Sequence, residues 1–276
     1  MARAMLKGLE VEYRTTGRRT DPALLLIAGL GSQLTFWEDE FCELLADHGL
    51  WVVRYDNRDT GLTSTVDEAG PQSPYGLDEL ADDAAGLLDV LGVTAAHVAG
   101  FSMGGMIAQR LTIDHPARVL SLCSISSLPG DGVSGQARPG VISTLFPPAE
   151  PGRESAVEAG VFFWGAVASP DYPTDPVLRR ARVAAAVDRA HRPDGLLRQL
   201  LALRNATDRT AALGAVTVPT LVVHGEADPL IEVSGGRATA AAVPGARLWS
   251  APGMGHELPR QLWPALVAEI VANARI

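Results

Sequence analysis

Lysine is almost missing from this chain. Lys7 is the only one, so nearly all of the 23 basic residues are arginines, and they are scattered. Against 32 acidic residues they leave a formal net charge of −9. A nucleic-acid surface needs clustered Lys and Arg to meet phosphates, so this balance argues against one. Cysteine is nearly as scarce. Cys42 falls in a helical stretch and Cys123 in a strand, and two free buried thiols are expected in place of a disulfide or a metal site. No window reaches the ~18 apolar residues of a membrane span. The first ten residues lack the apolar centre and small-residue site of a secretion signal. A cytoplasmic protein is expected, with no membrane or nucleic-acid partner and no metal. No internal repeat stands out, and nothing in the sequence indicates an oligomeric state.

What is present is apolar and ordered by turns. The chain has 276 residues, 47% of them hydrophobic, which is enough for one large core carrying an inserted lid. Residues 9–14 alternate with period two and suit an edge strand. Leu24, Leu25, Leu26, Ile27 and Ala28 form the unbroken apolar run of a strand covered on both faces. Residues 36–47 have helical spacing, residues 51–55 read as a strand, and residues 77–91 place Leu80, Ala84, Leu87, Leu88 and Leu91 on one helical face. Strands follow at 97–99 and 119–125, on either side of a helix that includes 106–111. This alternation implies a mostly parallel α/β sheet with helices on both faces.

After Ser126 the rhythm breaks. Nine of the 19 prolines fall between 129 and 193, and only helix-like pieces appear there, at 154–164, 175–190 and 195–204. Strand signals resume at 218–223 and 246–249, and a closing helix at 262–274. The expected division is an α/β core of residues 1–128 and 206–276 with a helical lid of residues 129–205.

The chemistry centres on Gly100-Phe101-Ser102-Met103-Gly104, set between an apolar strand and a helix. Such a turn presents a serine hydroxyl above the sheet, and the flanking glycines remove Cβ atoms that would collide as strand and helix close. A serine hydroxyl is inert at neutral pH without a base and a group to orient that base. Five of the six histidines have structural explanations: His48 and His115 end helices, His97 opens a strand, His224 closes one, and His191 lies in the insert. His256 stands in the glycine-rich loop Pro252-Gly253-Met254-Gly255-His256 after the last strand. Asp228 lies in Gly225-Glu226-Ala227-Asp228-Pro229, also just beyond a buried strand. Sites in parallel sheets form at those strand ends. Ser102, Asp228 and His256 are therefore the expected catalytic residues, with Glu226 and then Asp131 as competing acids. Backbone N–H groups of Leu30, in Gly29-Leu30-Gly31-Ser32, and of Met103 are the expected oxyanion donors. Phe146, Phe163 and Trp164 are the expected substrate-lining side chains, with Phe162 and Tyr172 as further insert aromatics. Asp56 and Arg58 are expected to brace their loop, and Trp37 to pack at the start of its helix.

These motifs resemble the α/β-hydrolases over nearly the whole length outside the insert, and within them the aclacinomycin methylesterase-like esterases. The run Arg54-Tyr55-Asp56-Asn57-Arg58-Asp59-Thr60-Gly61 and the His256 loop carry the closer resemblance. One departure is Ala28-Gly29, where many relatives have His-Gly, a histidine that supports the oxyanion loop. The resemblance implies an eight-stranded sheet with a helical lid. It also implies a cofactor-free serine esterase that works through an acyl-enzyme on a small-to-medium apolar ester, for instance a methyl ester of a polyketide-like metabolite. Perhydrolysis (the haloperoxidase reaction) or C–C bond hydrolysis could use the same triad. A ligand-binding protein on a hydrolase fold is the alternative of another class.

Overall fold

A computed structural model describes residues 2–66, 75–145 and 151–275. Phe146, expected at the substrate pocket, lies outside the described residues. The first strands, β1 (Ala2–Leu6) and β2 (Leu9–Thr16), form a hairpin across Lys7 and Gly8, both at positive φ, as a two-residue turn of this hand requires. The chain continues through β3 (Ala23–Ile27), α1 (Asp39–Asp47), β4 (Trp51–Tyr55), α2 (Leu77–Leu91), β5 (Ala96–Phe101), α3 (Met103–Asp114) and β6 (Val119–Ile125). Three helices of the insert follow, α4 (Arg153–Ala166), α5 (Pro176–Arg189) and α6 (Pro193–Arg204). The core is completed by α7 (Thr210–Leu213), β7 (Thr220–Gly225), α8 (Ser234–Ala242), β8 (Arg247–Ala251) and α9 (Trp263–Ala274).

The eight strands lie in one sheet in the order β1-β2-β4-β3-β5-β6-β7-β8. β1 with β2 and β2 with β4 are antiparallel, and every other pairing is parallel. Residues 9–16 are thus the second strand in, and the edge is β1. The short run Ala-Arg-Ala-Met-Leu gives a weak alternating signal that only the hairpin partner makes into a strand.

β3, β4, β5 and β7 are buried along their whole lengths because both sheet faces are covered. Alternate residues feed different cores. Leu25 and Ile27 pack with Leu80, Leu87, Leu88, Ile107 and Leu111 from α2 and α3. Leu24 and Leu26 pack with Phe41, Leu45, Leu266 and Ile270 from α1 and α9. α2 stops where Gly92 adopts the left-handed conformation at φ 71° that an ordinary residue resists.

The order also fixes where a site can form. From β3 the chain steps outward to β4, then crosses back past β3 to β5 and continues to the other edge. Between β3 and β5 the direction of winding reverses, and a crevice opens beyond their carboxyl ends. The loop starting at Ala28 and the turn at Ser102 leave those two strands side by side.

α4, α5 and α6 lie in the stretch expected to be a lid. Pro176 and Pro193 open their helices at the first position, where a missing N–H costs nothing. The Asp175 side chain caps α5 by accepting from the Val177 N–H at 2.7 Å. α8 carries no periodic run of large apolar residues. Its glycines serve close approach instead: a Cβ on Gly236 would sit 2.5 Å from the His224 ring. Among the described residues no helix is long and apolar enough to cross a membrane.

Candidate active site

Ser102 occupies the sharp turn between β5 and α3 with φ 57° and ψ −121°, a region non-glycine residues rarely adopt. The surroundings enforce it. The Ser102 N–H donates to the Ile125 carbonyl at 2.8 Å, and the Ser102 carbonyl accepts from Gly105 and Met106 at 2.9 and 3.2 Å. A Cβ on Gly104 would lie 2.7 Å from the Ala28 carbonyl oxygen and nearer still to that of Ile27. One on Gly100 would lie 2.7 Å from the Gly105 nitrogen. Strand and helix therefore touch backbone to backbone, and no side chain fits between them.

His256 lies across from the serine. Its Nε2 is 3.0 Å from Ser102 Oγ, and its Nδ1 is 2.7 Å from Asp228 Oδ2. All of Asp228 and nearly all of His256 are buried. The second carboxylate oxygen, Asp228 Oδ1, accepts the N–H groups of Leu230 and Ile231, each at 2.9 Å, which fixes the plane of the carboxylate. The histidine loop is pinned as well. The His256 N–H donates to the Val167 carbonyl at 2.8 Å, and the Gly255 N–H donates to Ser169 Oγ at 2.9 Å. The Phe101 ring stands 4.9 Å from the imidazole.

His224 is the other imidazole near Asp228, with Nε2 3.7 Å from Oδ2. That nitrogen donates to the Ile231 carbonyl at 2.8 Å, and burial holds the ring's pKa below the ordinary value, which favours the neutral form. Glu226 faces the other way, accepting from Ser250 Oγ at 2.7 Å on an exposed surface. Asp131 accepts from the Val133 and Ser134 N–H groups and the Ser134 hydroxyl in its own turn. Of the three acids considered from sequence, Asp228 is the one placed on His256.

Leu30 and Met103 line the same cavity as Ser102 and His256, a space of about 390 Å³ also bounded by Phe163 and Trp164. Met103 is the first residue of α3, so its N–H has no carbonyl one turn back within the helix. The Ser32 N–H donates to the Gly29 carbonyl at 3.1 Å, closing a turn around Leu30 and Gly31. A second chamber of about 560 Å³ shares Leu30, Ser32, Phe163 and Trp164 with the first and extends under α5. Phe36 stacks on Trp164 at 6.0 Å and packs on Phe101 at 4.6 Å, joining the insert to the serine strand. Phe162, one residue from the lining aromatics, is 56% exposed and faces away. Trp37 is fully buried between Phe36 and Phe41.

The braces around this site extend beyond those visible in sequence. Asp56 accepts from the N–H groups of Leu34 and Leu62 at 2.7 and 2.8 Å and pairs with Arg189 of α5 at 2.8 Å. Arg58 pairs with Asp83 at 2.6 Å. Arg198 of α6 forms two 2.8 Å bonds to Asp59. The Asn57 side chain donates to the Ala28 carbonyl at 3.1 Å. Gln33 donates to the Ala186 and Ala190 carbonyls, and Gln199 accepts from the Gly31 N–H. Only the run 54–61 announced these contacts. Their partners in the insert are 130 or more residues away, a pairing no local pattern encodes. Cys42 and Cys123 are free and buried, and burial pushes the Cys42 thiol up to about 12. Among the described residues no group of three or more His, Cys, Asp or Glu is placed to hold a metal ion.

Residues 18–261 match the family described as serine aminopeptidase, S33. The chain is 35% identical over 280 residues to rhodomycin D methylesterase DnrP of Streptomyces peucetius, a match covering 94% of this chain and 93% of that protein. It is 30% identical over 231 residues to a putative carbamate hydrolase, RutD, of Variovorax paradoxus, covering 81% of this chain and 80% of that one. Among solved structures, a hydrolase from Pseudomonas aeruginosa superposes with a TM-score of 0.79 at 27% identity, covering 100% of this chain and 98% of that one. The enol-lactonase from Burkholderia xenovorans superposes at 0.78 and 23% identity, covering 99% of both chains, and shares the fold. The chain belongs to the serine aminopeptidase S33 family, the serine hydrolases of α/β-hydrolase fold that it joins as a relative of the rhodomycin D methylesterases.

Proposed function

We propose that this protein is a carboxylic-ester hydrolase in which Ser102 attacks the ester carbonyl. The observation that carries the reading is the continuous relay from Asp228 Oδ2 through His256 Nδ1 and Nε2 to Ser102 Oγ, with links of 2.7 and 3.0 Å. His256 Nε2 takes the hydroxyl proton as Oγ bonds to the carbonyl carbon. Asp228 holds the ring in the tautomer with a proton on Nδ1 and stabilises the imidazolium that forms. The N–H groups of Leu30 and Met103 meet the charge developing on the carbonyl oxygen, each worth about 2.7–4 kcal/mol in the transition state. The imidazolium then gives its proton to the leaving alcohol oxygen. Water, deprotonated by the same base, attacks the acyl carbon, and the imidazolium returns that proton to Ser102 Oγ as the acyl–oxygen bond breaks and the acid is released.

The substrate side of the reading rests on the cavity. Leu30, Phe163 and Trp164 give it an apolar wall beside Ser102, and the second chamber leaves room for a medium-sized group. These features suit an apolar ester, and the similarity to rhodomycin D methylesterase makes a methyl ester of a polyketide-like metabolite the substrate proposed first. Residues 129–205 act as the lid in this account, and the cytoplasm is the proposed compartment. The test is a p-nitrophenyl ester series of increasing acyl length. Wild-type protein hydrolyses the series with an optimum set by the cavity, and Ser102→Ala reduces turnover by about 10⁶, the scale seen when a serine protease loses its nucleophile. Equal turnover by Ser102→Ala removes the proposal.

A further inference from the structure

We propose that Gln199, on the insert helix α6, is a positioning residue that sets the oxyanion loop, so that the lid and the oxyanion hole form one unit. The inference rests on reading the Leu30 N–H as an oxyanion donor. Gln199 is fully buried, and both ends of its amide are used. Its Oε1 accepts from the Gly31 N–H at 2.9 Å. Its Nε2 donates to the Arg58 carbonyl at 2.9 Å and to Thr60 Oγ1 at 2.7 Å. One side chain thus ties three elements: the insert, the loop after β3 and the loop after β4.

The loop it holds requires holding. Gly31 sits at φ 65°, and the peptide between Leu30 and Gly31 is the middle of the turn closed by Ser32 and Gly29. The bond from the Gly31 N–H to Gln199 anchors that peptide to α6, and without it the turn that carries the Leu30 N–H can shift as a unit relative to Ser102. Asn57 fixes the carbonyl of Ala28 on the near side. Gln199 fixes the Gly31 N–H on the far side. Leu196, one turn earlier on α6, closes the space above Gly31, where a Cβ would sit 2.8 Å from its Cδ1. Gly29 in turn lies against the Ser102 side chain, so displacement of the loop is felt at the nucleophile. Hydrogen-bond donors act on a transition state only when aimed beforehand at the developing charge, and misplacement by about 1 Å can cost on the order of 100-fold.

Two variants separate positioning from packing. Gln199→Met keeps the length and apolar stem but cannot accept the Gly31 N–H, whereas Gln199→Glu keeps that acceptor. On p-nitrophenyl butyrate, Gln199→Met is expected to lower kcat by about 10- to 100-fold with KM nearly unchanged, and Gln199→Glu to recover part of the loss, most at low pH, where a protonated carboxyl can also donate to the Arg58 carbonyl. An unchanged kcat in Gln199→Met, or a loss confined to KM, overturns the proposal. Exchange of the Gly31 amide, followed by NMR in the wild-type protein, stands independently of whether the variants fold. The amide is expected to be protected, and free exchange there also overturns the proposal. Titration of wild-type protein with a serine-directed phosphonate keeps the two readings apart: no labelling and no ester turnover defeats the esterase reading, whereas an active wild type with an unaffected Gln199→Met defeats this one.

Discussion

Replacing Asp228 by asparagine tests the relay at one atom. The two carboxylate oxygens do different jobs: Oδ1 accepts two backbone N–H groups, and Oδ2 faces His256 Nδ1 at 2.7 Å. In Asp228→Asn the amide oxygen keeps the two backbone bonds, because an NH₂ group there would face two donors. The NH₂ is then directed at His256. It can only donate, so Nδ1 must accept and the ring proton moves to Nε2. The nitrogen 3.0 Å from Ser102 Oγ is now protonated and cannot take the hydroxyl proton. Shape and backbone bonds persist, so the fold should survive while kcat falls by about 10⁴, the loss known for the same change in a serine protease. That loss corresponds to about 5.4 kcal/mol of transition-state stabilisation. The assay is kcat and kcat/KM on a p-nitrophenyl ester, with thermal unfolding as the control for folding. A loss below tenfold in Asp228→Asn, with a large loss in Glu226→Gln, would refute the reasoning and move the orienting role to Glu226.

Three further outcomes follow from contacts away from the reacting atoms. Gly104→Ala places a methyl group against the Ile27 and Ala28 carbonyls, so the serine turn must open; soluble yield and activity should both fall sharply, and near-normal values contradict the close-approach account. Arg198→Met leaves the buried Asp59 carboxylate without its two guanidinium bonds and should cost roughly 3–5 kcal/mol in urea unfolding, whereas a change under ~1 kcal/mol would show that the pair does not anchor α6. His224 has its folded pKa depressed by burial, so between that value and the unfolded value near 6.5 the unfolded chain binds more protons and stability rises with pH. Melting temperature should therefore fall as pH drops below about 6.5, with a shallower slope in His224→Gln, and identical slopes would remove His224 as a source.

The parts of the fold legible in sequence are those with a local cause. An unbroken apolar run marked β3, and residues 221–223 marked β7, because a strand covered on both faces needs no polar side; β4 was read from Trp51–Tyr55 although Arg54, itself buried, interrupts its apolar run. Heptad-like spacing gave α2, and the glycines at 100 and 104 gave the turn at Ser102. The edge strand β1 was not legible, since Ala2–Leu6 becomes a strand only by pairing with Leu9–Thr16. Nor was α8, whose small residues permit tight packing on β7 but resemble a loop in one dimension. Ser102, Asp228 and His256 could be singled out because each stands in its own loop signature after a strand. Gln199 and Arg189 could not, because a glutamine or arginine on an amphipathic helix has no mark of the loop it will meet more than a hundred residues away.

The central claim is that the Ser102 hydroxyl is the nucleophile, activated by His256. Its most direct test is mass-spectrometric mapping after treatment with a fluorophosphonate. The account predicts a single adduct on the peptide containing Ser102, formed in step with loss of esterase activity and much more slowly in His256→Gln. Full esterase activity with Ser102 unmodified, or an adduct on another residue tracking the loss of activity, would contradict it.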